Sequence, residues 1–559
     1  MEESKSSARA LNFFTVTWSN IAILQCVKQY HSLKGHIFEA PFTLDLFLFY
    51  FLSISIAYST LQPQRSSALI SLCFSHLLSL VHHGSQSNHV IMAIVIASAA
   101  LLAHSTDRSM WQRRLACTLY FVLVVLYLVS WTHKMNENWF DREYSCASLF
   151  ASGFLSMWIP LPIDASVPIS PIADIVIQTA PYQALLIEIA LPTMLIMWRT
   201  MSKTTSARLF PVLMVTAALF HLVICLPLPP MSVYPFSMVM VPMYILLLPE
   251  ENLEWTTRLS DNFLSIAGTV GVVGVAVQRA VVAVLAGEDM PLEYPAYGLW
   301  KPSIIWNIAV WMMILYSVFG SKRKSNTRAE ATQTKLESVV ESKAENKAET
   351  KGEISASTVV LPLPVLIPTG RGMSLAAFLF FIGMCPYIGI RNYPALAMFS
   401  NLRTEGTVPN HVLLPDIDLM RFQTDTVHIH GTSLKSLRNF QVNLAIYFSE
   451  HTKKFNIAYG VTNEFWITPP SWTAPDNREA PFIPFSIPIL EFRKHLSKHI
   501  SEDFNVNFTR NSDTTSHMIQ SHDLTSLSLH ADLITPVSWL ARTFLRFRSF
   551  DPRYSPCRH

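Results

Sequence analysis

A lysine with several polar neighbours lies where an apolar run ends, in YLVSWTHKMNENWF (127–140). Lys134 follows His133 and precedes Asn136 and Trp139. A lysine at the end of a membrane helix commonly extends towards the lipid headgroups, and such an anchor needs only its charge. A lysine can instead act as a base, but only when its amine is neutral. The residues leave both interpretations of Lys134 open.

Histidines form a second group of candidates, because imidazole transfers protons near neutral pH and binds metals. Asn88 and His89 open one apolar run, and His221 lies within a later one. His82, His83 and His89 are close enough in sequence to consider a zinc site, but adjacent histidines on a helix point in different directions. We therefore predict no metal site.

The elements that must position these side chains are membrane helices. Half of the 559 residues are hydrophobic and only 14% are charged, whereas soluble proteins carry about a quarter charged residues. The composition predicts an α-helical multi-pass membrane protein with about 10–11 membrane helices, each near the length that a bilayer needs. The net charge of +3 and the lack of a basic patch with interleaved aromatic residues exclude a nucleic-acid partner. The predicted spans are 10–29, 41–61, 67–83, 90–105, 115–133, 175–198, 207–226, 233–249, 262–286, 301–319 and 374–391.

Basic residues between the spans predict an orientation. With a cytoplasmic N-terminus and one crossing per span, every strongly basic loop faces the cytoplasm, as the positive-inside rule requires. Lys134, His89 and the chain after the last span then lie on the outer side of the membrane. The cytoplasmic loops are those with Arg65, with Arg108, Arg113 and Arg114, with Arg199, Lys203 and Arg208, and with SKRK at 321–324.

The sequence divides into four segments. Residues 1–319 form the multi-pass domain, and 320–360 form a charged cytoplasmic linker in which Lys and Glu alternate without an apolar face. A final membrane helix lies within 361–391. Residues 392–559 mix strand-like runs with the amphipathic helix ILEFRKHLSKHI (489–500), which predicts a small extracytoplasmic α+β domain.

Several smaller features lie outside the spans. Residues 147–173 are apolar but interrupted by prolines, so we expect a re-entrant or interfacial segment. Asn507 begins an N-glycosylation sequon on the predicted outer side. Cys146 and Cys557 both lie outside the spans. They could form a disulfide bond or remain unpaired, and the sequence does not decide between the two. Arg403, just beyond the last span, either binds an acidic or polar substrate or belongs to a polar turn.

Three segments together resemble one membrane family. They are SNHVIMAIVI (87–96), THKMNENWF (132–140) and FHLVICLPLPPMSVYPFSMVMVPMYILLLP (220–249). Their order and spacing resemble the horizontally transferred transmembrane (HTTM) domain, which is related to the membrane part of vitamin K-dependent gamma-carboxylase. The resemblance covers residues 10–260.

The resemblance implies a catalytic lysine at Lys134 and an assisting histidine at His89. It also implies that the lysine takes a proton from reduced vitamin K or another isoprenoid quinol at the outer membrane face. Oxygen and carbon dioxide then take part in the epoxidation and carboxylation that the carboxylase performs, and a protein or peptide at the outer face is the acceptor. The residues that would support the pocket are Asn88, Asn136, Trp139 and His221.

Two function classes follow. The first is a membrane enzyme that uses Lys134 as a base on a quinol or another lipid-soluble substrate. The second is a non-enzymatic membrane protein, either a lipid or quinone carrier or an assembly factor, in which the lysine and histidines at helix ends are anchors. The enzyme requires Lys134 inside a closed pocket, with His89 within hydrogen-bond reach directly or through one water. An anchor requires Lys134 to face the headgroups.

Overall fold

The architecture is predominantly helical. The computed structural model describes residues 9–32, 43–82, 87–141, 145–156, 170–226, 233–248, 303–319, 370–437, 484–499, 502–520 and 533–550, with short gaps inside 370–437, 502–520 and 533–550. Several predicted features lie outside these residues: the span at 262–286, the linker at 320–360, the strand-like runs FQVNLAIYF (440–448) and FNIAYGVTNEFWI (455–467), His83 and Cys557. The helices are α1 (Arg9–Ser32), α2 (Leu44–Leu61), α3 (Ser66–His82), α4 (Asn88–Leu102), α5 (Arg108–His133), α6 (Glu137–Phe140), α7 (Cys146–Ser156), α8 (Pro171–Thr200), α9 (Lys203–Cys225), α10 (Tyr234–Ile245), α11 (Ser303–Phe319) and α12 (Gly370–Met384).

Four of the described helices, α2, α5, α8 and α9, are long and apolar enough to cross a membrane. The shorter helices α3, α4, α10, α11 and α12 are also apolar. Every predicted span that falls on described residues contains a helix, because each was marked by an apolar run whose backbone groups are satisfied within the helix. The segment predicted to begin at residue 147 starts with α7.

The bundle has two distinguishable ends. At the first end, Arg108 Nη2 donates hydrogen bonds to Asn12 Oδ1 at 2.6 Å and to Pro63 O at 3.3 Å. Arg108 thereby joins the start of α5 to α1 and to the turn between α2 and α3. At the second end, His133 Nε2 lies 2.8 Å from Gly383 O, which joins the end of α5 to the end of α12. The candidate residues lie at this second end.

Two glycines allow α12 to pack closely on α5. A Cβ atom added at Gly383 would lie 2.4 Å from Val129 Cγ1, and one added at Gly372 would lie 2.6 Å from Thr118 Oγ1. Membrane helices approach each other this closely where the interface carries small residues. The contact fixes α12 and therefore the chain that leaves it.

The C-terminal region contains a four-stranded antiparallel sheet in the order β2-β1-β3-β4. The elements are β1 (Thr426–Thr432), β2 (Phe485–Pro488), α13 (Ile489–Lys498), β3 (Asn505–Arg510) and β4 (His517–Gln520). Val427 pairs with Ile487, and Ile429 pairs with Phe508; all four side chains are buried in one cluster with Phe492 of α13. A small α+β fold is thus present. Of the strand-like runs predicted in 392–559, TVHIH lies in β1, whereas FSIPIL forms β2 only as far as Pro488 and its last two residues begin α13, which lies within the predicted amphipathic helix.

The sequon residue Asn507 lies within β3. Its side chain is half-buried, and its Oδ1 accepts a hydrogen bond from Ser516 Oγ at 2.5 Å. The predicted strand-like runs do not include this segment. Glycosylation of Asn507 stays a prediction.

Candidate functional site

A cavity of about 410 Å³ lies among α5, α7, α8, α9 and α10. Its volume falls in the range of roughly 300–1,000 Å³ that small-molecule sites occupy. Most of the wall is apolar, with Leu126, Phe150, Ile187, Phe220, Ile224 and Phe236 among its side chains. The polar side chains in the wall are Asn88, Tyr127, Ser130, Lys134, Gln183 and Glu188.

Lys134 and Glu188 form a buried ion pair in this wall. Lys134 Nζ lies 2.8 Å from Glu188 Oε1, and each side chain is 7% exposed. Lys134 Nζ also donates to Ser130 Oγ at 2.8 Å, and the ammonium lies 5.4 Å from the ring centroid of Trp139. Burying a charge costs several kcal/mol unless a partner compensates it, so ionisable pairs among apolar helices mark functional sites. Lys134 is inside the protein and not at an exposed helix end.

Glu188 is a site residue that sequence analysis missed. Its Oε1 accepts hydrogen bonds from Lys134 and, at 3.3 Å, from Ser130 Oγ. Its Oε2 is buried and has no hydrogen-bond partner among the described residues. The available signal was an acidic residue inside the predicted span 175–198, which is costly unless it has a function.

The Asn88-His89 pair reaches the cavity through Asn88. Within the described chain, the hydrogen bonds of the Lys134 ammonium go to Ser130 and Glu188. His89 is half-buried, and its ring nitrogens lie 3.0 Å from Ser87 Oγ. Asn88 lines the cavity. The role of His89 as the partner of Lys134 stays a prediction.

Asn136 and Trp139 support the lysine from the short helix α6. Asn136 is the N-cap of α6. Its Oδ1 accepts a hydrogen bond from Trp139 N at 2.9 Å, so a backbone amide that has no acceptor within the helix is satisfied. Trp139 Nε1 donates to Pro181 O at 3.1 Å. This bond fixes the indole against α8, so the ring stands beside the Lys134 ammonium. Trp139 lines the cavity, whereas Asn136 acts through the backbone turn.

His221 lies behind the cavity wall. Its Nε2 is 2.8 Å from Tyr127 Oη, which is in turn 2.6 Å from Tyr244 Oη. The imidazole is fully buried and stacks on Trp311 with a centroid separation of 5.8 Å. Tyr127 is the member of this cluster that lines the cavity, so His221 can influence a bound molecule through the tyrosine. His221 is among the site residues predicted from the sequence, whereas Tyr127 is not.

The chain that follows α12 covers one end of the cavity. Leu396 lines the cavity, and its backbone N donates to Asn88 Oδ1 at 2.8 Å. Asn401 Oδ1 accepts from Cys146 N at 2.8 Å, and Asn410 Nδ2 donates to Asn138 Oδ1 at 2.8 Å. We call residues 395–411 the cover segment. Its amides attach it to α4, α6 and α7.

Arg403 belongs to a turn of the cover segment. Its backbone N donates to Asn410 Oδ1 at 2.7 Å, and its carbonyl accepts from Asn410 N at 3.0 Å. The residue is 7% exposed and does not line the cavity. These bonds fit the polar-turn interpretation, and a substrate-binding role stays a prediction.

Cys146 lines the cavity and is disulfide-bonded. The other cysteines within the described residues, Cys26, Cys73, Cys117, Cys225 and Cys385, are free. No group of three or more His, Cys, Asp or Glu side chains in the described part of the chain is arranged to hold a metal ion.

Comparisons with protein-family models, with curated proteins and with solved structures gave no match. The resemblance to the HTTM domain therefore rests on the three sequence segments alone.

Proposed function

We propose that this chain is an integral membrane enzyme that binds a lipid-soluble substrate in the cavity and uses Lys134 as its acid–base group. One observation carries the proposal: the only two charged side chains in the cavity wall, among the described residues, are Lys134 and Glu188, and they are paired in apolar surroundings. An anchor has no need of such a partner. Four long apolar helices support the membrane location.

The pair can hold and move a proton. With a separation of 2.8 Å between Lys134 Nζ and Glu188 Oε1, one proton shift converts the ion pair into a neutral amine and a carboxylic acid. The neutral amine is the form that can accept a proton from a substrate. The apolar wall excludes water, which would otherwise compete for that proton.

We propose an isoprenoid quinol as the ligand, with its ring in the cavity. Its hydroxyl group would lie at Lys134 and Glu188, and its ring would pack among apolar side chains such as Phe150 and Phe220. A bound quinol would supply an acidic hydroxyl and reducing equivalents. The resemblance to the HTTM domain makes vitamin K-dependent carboxylase-like chemistry, with reduced vitamin K as cofactor, the first reaction to test.

The proposed orientation has the N-terminus in the cytoplasm and the C-terminal α+β domain outside, in the periplasm, at the cell exterior or in the lumen of the endoplasmic reticulum. The disulfide bond of Cys146 supports it, because disulfides persist in oxidising compartments. Cys146 bonds to the cover segment, and Arg108 marks the opposite end of the bundle with its basic neighbours. A protein or peptide substrate would approach the cavity from the side of the cover segment.

A lipid- or quinone-binding protein without turnover is the second candidate. The observation that favours it is the mutual satisfaction of Lys134 and Glu188, which stabilises both side chains without any reaction. Both candidates share the cavity and the membrane location. They differ in whether the bound molecule changes chemically.

The test uses purified protein in lipid nanodiscs, reduced vitamin K and labelled bicarbonate. Quinol oxidation, epoxide formation and fixed label are measured separately, with and without a glutamate-containing peptide. Oxidation or epoxide that is lost in Lys134→Arg supports the enzyme. Saturable binding of the quinol without any product, in protein that retains its fold, would establish the second candidate.

A further inference from the structure

The unsatisfied oxygen of Glu188 restricts what the cavity can hold. Glu188 is 5% exposed, and Oε1 is occupied by Lys134 and Ser130. Oε2 is buried without a hydrogen-bond partner in the described structure. A buried acceptor of this kind destabilises the folded chain until a donor reaches it. The Glu188 side chain lines the cavity, so a ligand hydroxyl there can supply that donor when the carboxylate turns Oε2 towards it.

The charges in the wall restrict the headgroup further. The charges of Lys134 and Glu188 cancel, so a ligand with a neutral headgroup can bind without breaking the ion pair. An anionic headgroup would compete with Glu188 for the ammonium of Lys134. The Glu188 carboxylate would then be buried without a counter-charge, which is strongly unfavourable. A fatty acid or a lipid phosphate is therefore disfavoured at this position.

We propose that Glu188 is the ligand's hydrogen-bond acceptor and that the cavity selects lipids with a neutral hydroxyl headgroup over their ethers and over lipid carboxylates. This selectivity rests on one part of the proposed function, namely that the cavity binds a lipid-soluble ligand. It does not require that the ligand is turned over. In the complex, the ligand O–H donates to Glu188 Oε2 while Oε1 keeps its bond to Lys134. The alkyl tail lies against the apolar wall.

The test compares three probes of matched length: 1-dodecanol, dodecyl methyl ether and dodecanoate. Binding to the full chain in nanodiscs is measured by calorimetry, with empty nanodiscs as the reference for partitioning into lipid. A hydrogen bond to a charged acceptor predicts that the alcohol binds about 10–100-fold more tightly than the ether. The carboxylate is expected to bind more weakly than the alcohol.

Variants assign the preference to Glu188. Glu188→Gln replaces Oε2 or Oε1 by an amide donor, so the preference for alcohol over ether should fall to about 1 or reverse. Should that variant fail to fold, the double variant Lys134→Met with Glu188→Leu replaces the pair by apolar groups, which cores commonly tolerate. It should bind alcohol and ether equally. Gln178→Ala is the control, because this exposed residue of α8 does not line the cavity.

Equal binding of alcohol and ether by the wild-type chain, or a preference that survives in Glu188→Gln and in the double variant, would overturn the assignment. Failure to bind any probe would do the same. The proposed enzyme is judged separately by quinol turnover. A chain that turns over quinol but does not discriminate the probes would refute only the role of Glu188.

Discussion

The side-chain oxygen of Asn88 accepts a hydrogen bond from the backbone N of Leu396 at 2.8 Å, across 308 positions of sequence. The two residues connect the start of α4 to the cover segment at the edge of the cavity. Leu396 adopts a left-handed backbone conformation, with φ near 60°, which is unfavourable for a branched side chain. Its amide bond to Asn88 helps to hold that conformation.

Asn88→Ala should therefore loosen the cover segment while the bundle remains folded. The change leaves the Leu396 amide buried without an acceptor, at a cost of about 1–3 kcal/mol. We expect faster hydrogen exchange at residues 395–397 and unchanged exchange in α5. Asn88→Asp, which keeps the acceptor oxygen, is the matched control. Equal protection of residues 395–397 in Asn88→Ala and wild type would show that other contacts hold this segment.

Lys134→Arg should lower turnover by about 10²–10⁴-fold, the usual loss when a positioned acid–base group is removed. Arginine keeps the positive charge for Glu188 but stays protonated at any working pH. Abundance and thermal stability should change little, as measured by fluorescence-detected size exclusion. Full activity in this variant would contradict the role of Lys134 as a base. His89→Ala in the same assay tests the assisting role that the resemblance implies.

Gly383→Ala should displace α12. The added Cβ would lie 2.4 Å from Val129 Cγ1, and overpacking of this kind costs about 1–3 kcal/mol. Thermal unfolding in detergent should report the loss. Val129→Ala in the same chain removes the clashing methyl groups and should restore stability. Gly370→Ala, where a Cβ would meet nothing within 4 Å, should have no such effect.

Acidification should destabilise the C-terminal α+β region through His495 on α13. Burial, together with the charges of the neighbouring His499, Lys494 and Lys498, lowers the pKa of His495 to about 4. The folded state thus binds its proton at lower pH than the unfolded state, whose histidine titrates near ~6.5. Stability is fully present above pH ~6.5 and falls as the pH drops towards 4, by about 2–3 kcal/mol. Thermal unfolding of His495→Gln should show a smaller fall over that interval than wild type.

The proposed orientation predicts opposite sides for two reporter fusions. A reporter after Ser325 should be cytoplasmic, and one after His559 should be external. Cys146 should react with an alkylating reagent only after reduction, because it is disulfide-bonded. Two reporters on the same side, in chains that insert normally, would refute the orientation.

The helices were predictable from the sequence because each apolar run satisfies its own backbone in a helix. The predicted span at 115–133, for example, lies inside α5, and the predicted amphipathic helix at 489–500 contains α13. These elements depend on local patterns, so a single sequence is sufficient to find them.

The site was only partly predictable, because its contacts join distant helices. Lys134 and Trp139 were found from the local sequence, and both line the cavity. Glu188 lies 54 positions from Lys134, and no local period indicates that α8 packs its acidic residue against α5. Tyr127 resembles any aromatic residue of an apolar run until its hydroxyl group is seen beside His221.

The distance in sequence between Asn88 and Leu396 has a consequence for synthesis. The chain emerges N-terminus first, at about 5–20 residues per second, so α4 waits roughly 15–60 s for its partner in the cover segment. In the proposed membrane location, we expect the cavity to be open to the surrounding bilayer during that interval. A lipid could then enter before α12 and the cover segment dock. The newly made protein would close its cavity around whatever molecule is present when translation ends.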